Sequence, residues 1–236
     1  MMQRRFTPTL WPTLFTIPAL LVLVGLGTWQ LQRMQWKTEI IDTFEARMSD
    51  KAIDPPARVE DIEKWRFKRV TLVGEFLHQK EFVITGKTFE GTAGFHLITP
   101  LQSADGRITL INRGWIPERL RLRNTRPETL TKGSVLVDGI IREDKKKGYF
   151  VPENEPQNNV WLYINSEQMA AKSQVGPIAN YYIDVLREPG PYALPIGASG
   201  SIKMRNEHLQ YALTWYFLAL SLLVIYVIYH YRPDEN

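Results

Sequence analysis

Residues Leu10 to Trp29 read LWPTLFTIPALLVLVGLGTW, a run without one charged side chain. A helix of about 20 residues, rising ~1.5 Å at each, covers the ~30 Å hydrocarbon core of a bilayer. The stretch YALTWYFLALSLLVIYVIY, Tyr211 to Tyr229, reads the same way. No Asp, Glu, Lys or Arg occurs between Arg5 and Arg33 or between Glu207 and Arg232, a pattern that the mean hydropathy of −0.24 conceals. Trp11 and Trp29 bracket the first run, while Tyr211, Trp215, Tyr226 and Tyr229 mark the ends of the second, as aromatics at a membrane interface do.

The first run is too long for the apolar part of a cleaved signal peptide, and no A-x-A-like site follows it. It continues through GTWQLQRMQWK into a polar helical pattern, so it reads as an anchor, with Pro12 near its start and Pro18 inside at a position that kinks a helix. The sequence thus predicts a membrane protein of α+β class, in which two transmembrane helices flank one β-rich antiparallel extramembrane domain. The expected boundaries are a tail over 1–8, a span over 9–32, the domain with its helical stalk over 33–204, a second span over 205–231 and a tail over 232–236. Two spans place both tails on one side of the bilayer. Charge does not choose the side, because Arg4, Arg5 and Arg232 stand against Arg33, Lys37, Lys203 and Arg205 on the inner flanks.

Between the runs the periodicity changes. Trp36, Ile40, Ile41, Phe44 and Met48 recur at helical spacing and extend the first helix, and ARVEDIEKW reads as a short second one. Period-two patterns follow: FKRVTLVGEFL, EFVITGK, GFHLITPL, ITLINRGWI, VLVDGIIRE, VWLYIN and YYIDVL read as strands separated by Gly, Pro, Asn and Asp. SEQMAAKS is the clear helix among them, opening on a Ser166 cap. The expectation is one domain of about 170 residues, an antiparallel sheet or partly closed barrel.

With no cysteine, the chain has no disulfide, thiolate metal site, covalent haem attachment or cysteine nucleophile. A net charge of +4 suits proximity to anionic lipid and equally suits simple solubility. No P-loop or H-E-x-x-H motif occurs, and GASGS at Gly197 to Ser201 lacks the final glycine of a nucleophile elbow. The basic stretches, Arg113 to Arg126 and Lys145 to Lys147, are solvated loops or contacts for phosphate and carboxylate groups; acids interleave with them, which argues against nucleic acid. The histidines stand at 78, 96, 208 and 230, no two within one helical turn.

His208 lies in RNEHLQYALTWY, where a helix enters the second apolar run. A lone histidine at such a boundary is either an amphipathic anchor or a ligand, and spacing alone leaves both open. His230 reads as an anchor at the opposite interface, with His230→Ala expected to be neutral. It lies 22 residues from His208, roughly 33 Å along a helix, too far to share a ligand with it.

Four motifs in order, GTWQLQRMQWK, TLINRGWIP, FVPENEPQNNVWLY and RNEHLQYALTWY, together resemble the Surfeit locus protein 1 family of cytochrome c oxidase assembly factors over nearly the whole chain. The resemblance implies a two-pass inner-membrane protein, no enzyme, that assists maturation of subunit I of haem-copper, aa3-type oxidases. It also implies that haem a is bound transiently through the motif's histidine, His208 here, with cytochrome c oxidase subunit I, haem a synthase and the lipid bilayer as partners. On a helix, His208, Tyr211, Ala212 and Trp215 share a face, offering a ligand, a small residue giving room and two aromatics for a macrocycle. Arg205, with Lys203, would meet propionates on the aqueous side. The short N-terminal tail favours a bacterial inner membrane with the domain in the periplasm, the mitochondrial inner membrane being the alternative. The competing reading is a haem-free scaffold that holds subunit I or the synthase. Trp161 and the Asn and Pro residues of FVPENEPQNNVWLY read as structural.

Overall fold

The structure, a computed structural model, describes residues 4–144, 147–188, 193–200 and 206–233. In chain order the elements are β1 (Arg4–Phe6), α1 (Leu10–Ser49), α2 (Ile62–Trp65), β2 (Arg69–Phe76), β3 (Phe82–Phe89), β4 (Thr92–Ser103), β5 (Ile108–Pro117), β6 (Ser134–Arg142), α3 (Ser166–Ser173), β7 (Ile178–Val185), α4 (His208–His230) and β8 (Tyr231–Pro233), with short 3-10 turns between strands. They form two compact units, Met1–Thr43 with Lys203–Asn236, and Phe44–Ile202.

The first unit is a helical hairpin. α1 and α4 are long and apolar enough to cross a bilayer, and Leu10, Phe15 and Leu21 project outward from α1 with 74%, 69% and 70% of their surface exposed. The polar side chains of the two helices pair in antiparallel register: Thr9 with His230, Thr13 with Tyr226, Thr28 with Tyr216, and Gln30 with His208. Beyond the helices, β1 pairs antiparallel with β8, Phe6 opposite Tyr231. Gly27 permits this approach, because a Cβ there would lie 2.7 Å from the Tyr216 ring.

The second unit is a barrel. Its strand order β2-β6-β7-β5-β4 closes where Phe76, Glu75 and Gly74 of β2 pair with Leu101, Gln102 and Ser103 of β4, while β3 adds to the other half of β4. The interior is filled from five strands by Val70, Leu72, Leu101, Ile111, Val137, Ile141 and Ile183. A second core, of Phe82, Ile84, Ile98, Leu110 and Tyr182, is covered by Trp161, Ile164 and Met169 of α3. Phe44, on the last turns of α1, packs edge-on against Phe67 with ring centroids 5.3 Å apart.

The all-antiparallel expectation is corrected at one pair: β5 and β7 run parallel. β7 inserts between β6 and β5; it runs antiparallel to β6, which itself points opposite to β5, so β7 lies parallel to β5. VWLYIN is no strand. Asn159 adopts a left-handed conformation, and Asn154 takes over the ladder's role, its Oδ1 accepting from the Leu162 and Tyr163 amides and its Nδ2 donating to the Tyr163 carbonyl. This leaves single bridges, Ile84 to Trp161 and Glu155 to Val160. The cap of α3 is Asn165, which accepts from the Gln168 amide at 2.9 Å; Ser166 instead donates its hydroxyl to Asp144 at 2.7 Å.

The basic stretch from Arg113 to Arg126 is only partly a solvated loop. Leu97 opposes Gly114 and Ile98 opposes Asn112, so Arg113 is the extra residue of a bulge, and Gly114 at φ +117 passes so close to Ile196 that a Cβ would lie 2.0 Å from its carbonyl oxygen. The bulge sends Arg113 inward, where it and the fully buried Arg126 flank the Glu81 carboxylate.

Two outcomes follow from these cores. Trp161→Ala should cost about 3–5 kcal/mol in denaturant unfolding of the purified chain, whereas Leu136→Ser on the exposed outer face should stay within about 0.5 kcal/mol. Tyr181, its hydroxyl donating to the Pro56 carbonyl, is pushed up to about 12 by burial. An unfolded tyrosine ionises near pH 10, so this contribution is complete below about pH 10 and is lost as pH rises toward 12. Tyr181→Phe should flatten that alkaline decline when denaturation midpoints are compared at about pH 9 and 11.

Candidate functional site

At the head of α4, His208 is half-buried and its Nδ1–H donates to Gln30 Oε1 at 2.7 Å. A carbonyl oxygen only accepts, so the proton of the neutral ring sits on Nδ1 and Nε2 keeps its lone pair. Among the described residues Nε2 has no partner. One residue before the helix cap, Asn206 donates to Thr38 Oγ1 at 3.0 Å and points toward the Met34 carbonyl at 3.4 Å, which fixes the approach to His208. This arrangement, a ligating nitrogen oriented by a hydrogen bond on the ring's other nitrogen, is how proteins hold an imidazole for a metal.

Of the residues expected on one face, His208 and Trp215 are half-buried and Tyr211 is 55% exposed. Ala212 is wholly buried, as is Ala219 one heptad on, so its small side chain permits close helix packing and leaves no open space for a ligand. Arg205 and Lys203 lie outside the described residues. The donor set would fit a haem iron: an imidazole oriented through Nδ1, whose Nε2 has no partner among the described residues, with Trp215, Tyr211 and Leu209 offering apolar surface nearby on the same helix.

His230 is no solvent-facing anchor. Its ring is fully buried, and Nδ1–H donates to the Tyr226 carbonyl at 2.8 Å while Nε2 accepts from Thr9 Oγ1 at 3.0 Å. Thr13 donates to the Thr9 carbonyl at 2.7 Å and receives the Tyr226 hydroxyl at 2.6 Å, closing a circuit of four residues where the hairpin ends.

The other two histidines are held inside the barrel unit. His78 Nε2–H donates to the Thr131 carbonyl at 2.9 Å, and burial lowers its pKa below the ordinary value. His96 Nδ1 accepts at 3.2 Å from the Asn112 amide, which also donates to Asp184 at 2.7 Å. Together with Arg142 these residues line a polar cavity of about 80 Å³. No group of three potential metal-ligating side chains occurs among the described residues.

Sequence reading missed Gln30 and the polar row of Arg142, Asp184, Asn112 and His96. That row draws one residue from each of β6, β7, β5 and β4, so nothing local in the sequence unites it. Gln30 was findable, since it is the first strongly polar side chain after the charge-free run, and a polar group there must find a partner.

The architecture is that of a protein with two candidate membrane-spanning helices before and after, in sequence, a six-stranded barrel unit. The model of the SURF1 family matches residues 17–220. A SURF1-like protein of Monosiga brevicollis is 35% identical over 226 residues, covering 91% of this chain and 85% of that protein. Surfeit locus protein 1 of Mus musculus is 36% identical over 227 residues, 88% and 71% of the two chains, and that of Homo sapiens 33% identical over 213 residues, 84% and 70%. The chain belongs to the SURF1 family.

The buried circuit carries its own test. His230→Ala removes two hydrogen bonds from an apolar end and should destabilise it by about 1–3 kcal/mol, which contradicts the neutral behaviour expected of an anchor. Amide exchange should accelerate at Thr7, whose N–H bonds to the His230 carbonyl at 3.0 Å.

Proposed function

We propose that this protein is an assembly factor for an aa3-type cytochrome c oxidase, binding haem a through His208 and assisting its insertion into subunit I. The observation that carries this reading is the His208–Gln30 hydrogen bond, which frees Nε2 for a metal at the mouth of an apolar helix pair. Haem a, when bound, supplies the redox-active iron that the oxidase requires. The chain's residues would do the holding: His208 would offer a nitrogen ligand, Gln30 fixes the ring's orientation, and Trp215 with Tyr211 would present aromatic surface. Arg205 is assigned to a propionate by charge alone. The protein breaks no bond in its cargo, and His230, at the opposite end of α4 from His208, would not share a ligand with it.

Subunit I and haem a synthase are the partners this role requires, since a donor must dock beside its source and its acceptor. α1 and α4 span the membrane with both termini cytoplasmic and Lys51 to Ser199 on the far side, in a bacterial inner membrane facing the periplasm. The mitochondrial inner membrane is the second compartment, favoured by the relatives in mouse and human. A periplasm-specific reporter fused after Asn236 should be silent; strong activity reverses the orientation.

The decisive experiment co-expresses the chain with haem a synthase, purifies it and extracts the pigment. Wild type should carry haem a rather than haem b. His208→Ala should reach the membrane in normal amounts, because Ala suits a helix and lipid, yet lose most haem a absorbance. Gln30→Leu should bind about 10- to 100-fold more weakly, as removal of an orienting partner does. Full retention in His208→Ala would transfer the reading to a haem-free scaffold holding subunit I or the synthase.

A further inference from the structure

In the barrel unit, the segment after β6 reads KKKGYFVPE from Lys145 to Glu153, with three lysines before two adjacent aromatics and no acid until Glu153. A turn, closed by the Val151 amide donating to the Gly148 carbonyl at 3.0 Å, puts Tyr149 and Phe150 at its tip. They are 93% and 92% exposed, the most exposed large apolar side chains among the described residues. The base of the turn is fixed. Lys147 pairs with Glu153 at 2.6 Å, Glu153 accepts the Tyr163 hydroxyl at 2.8 Å, and Asn154 is buried against the Leu162 and Tyr163 backbone. The tip is therefore presented by a rigid support, its two rings edge to face with centroids 5.0 Å apart.

Two exposed rings in water forgo the gain of burying most of their apolar surface, which marks a contact site. We propose that this turn is a second lipid contact, with Tyr149 and Phe150 entering the headgroup layer of an anionic bilayer, to which the lysine-rich sequence just before them adds attraction. A protein partner would want a broad patch with an apolar core, but Lys147 to Glu153 form a convex, wholly exposed tip without one. Lipid needs only the tip: aromatic side chains are favoured at the interface, and lysines adjacent in sequence attract an anionic surface. The proposal rests on reading α1 and α4 as spans, which keep a bilayer within reach of the barrel unit at both of its chain ends.

The chain has no cysteine, so single-cysteine variants label cleanly. Val151→Cys reports on the turn with both aromatics retained, Leu220→Cys on α4, and Leu122→Cys on an exposed turn elsewhere on the barrel unit. Each full-length variant, carrying an environment-sensitive fluorophore, is placed in nanodiscs of equal parts phosphatidylcholine and phosphatidylglycerol, with or without a quencher attached to the lipid. The Val151 and Leu220 labels should lose most of their emission to the quencher and the Leu122 label should not. Adding Tyr149→Ser and Phe150→Ser should abolish the loss at Val151 alone. Quenching at Leu220 without quenching at Val151 overturns this proposal and leaves the spans intact; quenching at neither overturns both. Equal quenching at Leu122, or protection of Val151 only after an oxidase subunit is added, also overturns it, the last outcome assigning the turn to a protein partner.

Discussion

Polar side chains on an apolar helix have few partners, and this scarcity orders the hairpin. Thr13, Thr28 and Gln30 on α1, with Thr9 just before it, meet Tyr226, Tyr216, His208 and His230 on α4, so four pairs set the antiparallel register. Between apolar side chains such a pair is fixed because the alternative is an unsatisfied polar group. The register puts Gln30 opposite His208, and that decides which ring nitrogen stays open. The chemistry at the head of α4 thus depends on the same rule that holds the helices together.

The barrel obeys a related rule with charge in place of hydrogen bonding. The bulge at Arg113 turns a guanidinium inward, and Glu81 accepts it together with Arg126 while taking a hydrogen bond from Thr99. A buried carboxylate with two cations ties β3, β5 and the turns after β5 to one another. A buried ion pair gains little net stability, but loss of one member leaves an uncompensated charge, so the cluster enforces one arrangement of these segments.

Much of this was legible in the chain. Charge-free runs locate the two long helices, and period-two alternation locates six strands, because burial on one face leaves a local signature. The failures share a cause: the residue in question answers to a distant partner. VWLYIN has strand composition, yet Asn154 supplies its hydrogen bonds. Ser166 has the chemistry of a cap, but Asp144 claims its hydroxyl. His230 looks like an interfacial anchor until Thr9 and Tyr226 enclose it, and Ala212 looks like open space until the opposite helix covers it. For the candidate site, the identity of His208 was readable, whereas its tautomer was not, since Gln30 lies 178 positions away.

The placement of β7 bears on the order in which the protein is made. The last strand of the sheet to be synthesised occupies its middle, between β6 and β5, and β2 cannot be joined through β6 to the remaining strands without it. Closure therefore waits for Val185, when nearly the whole unit has left the ribosome, and non-local sheets of this kind form slowly. His208 follows soon after in the chain. Barrel completion and synthesis of the second apolar helix are thus close in time, and until then the sheet keeps open edges that can pair elsewhere.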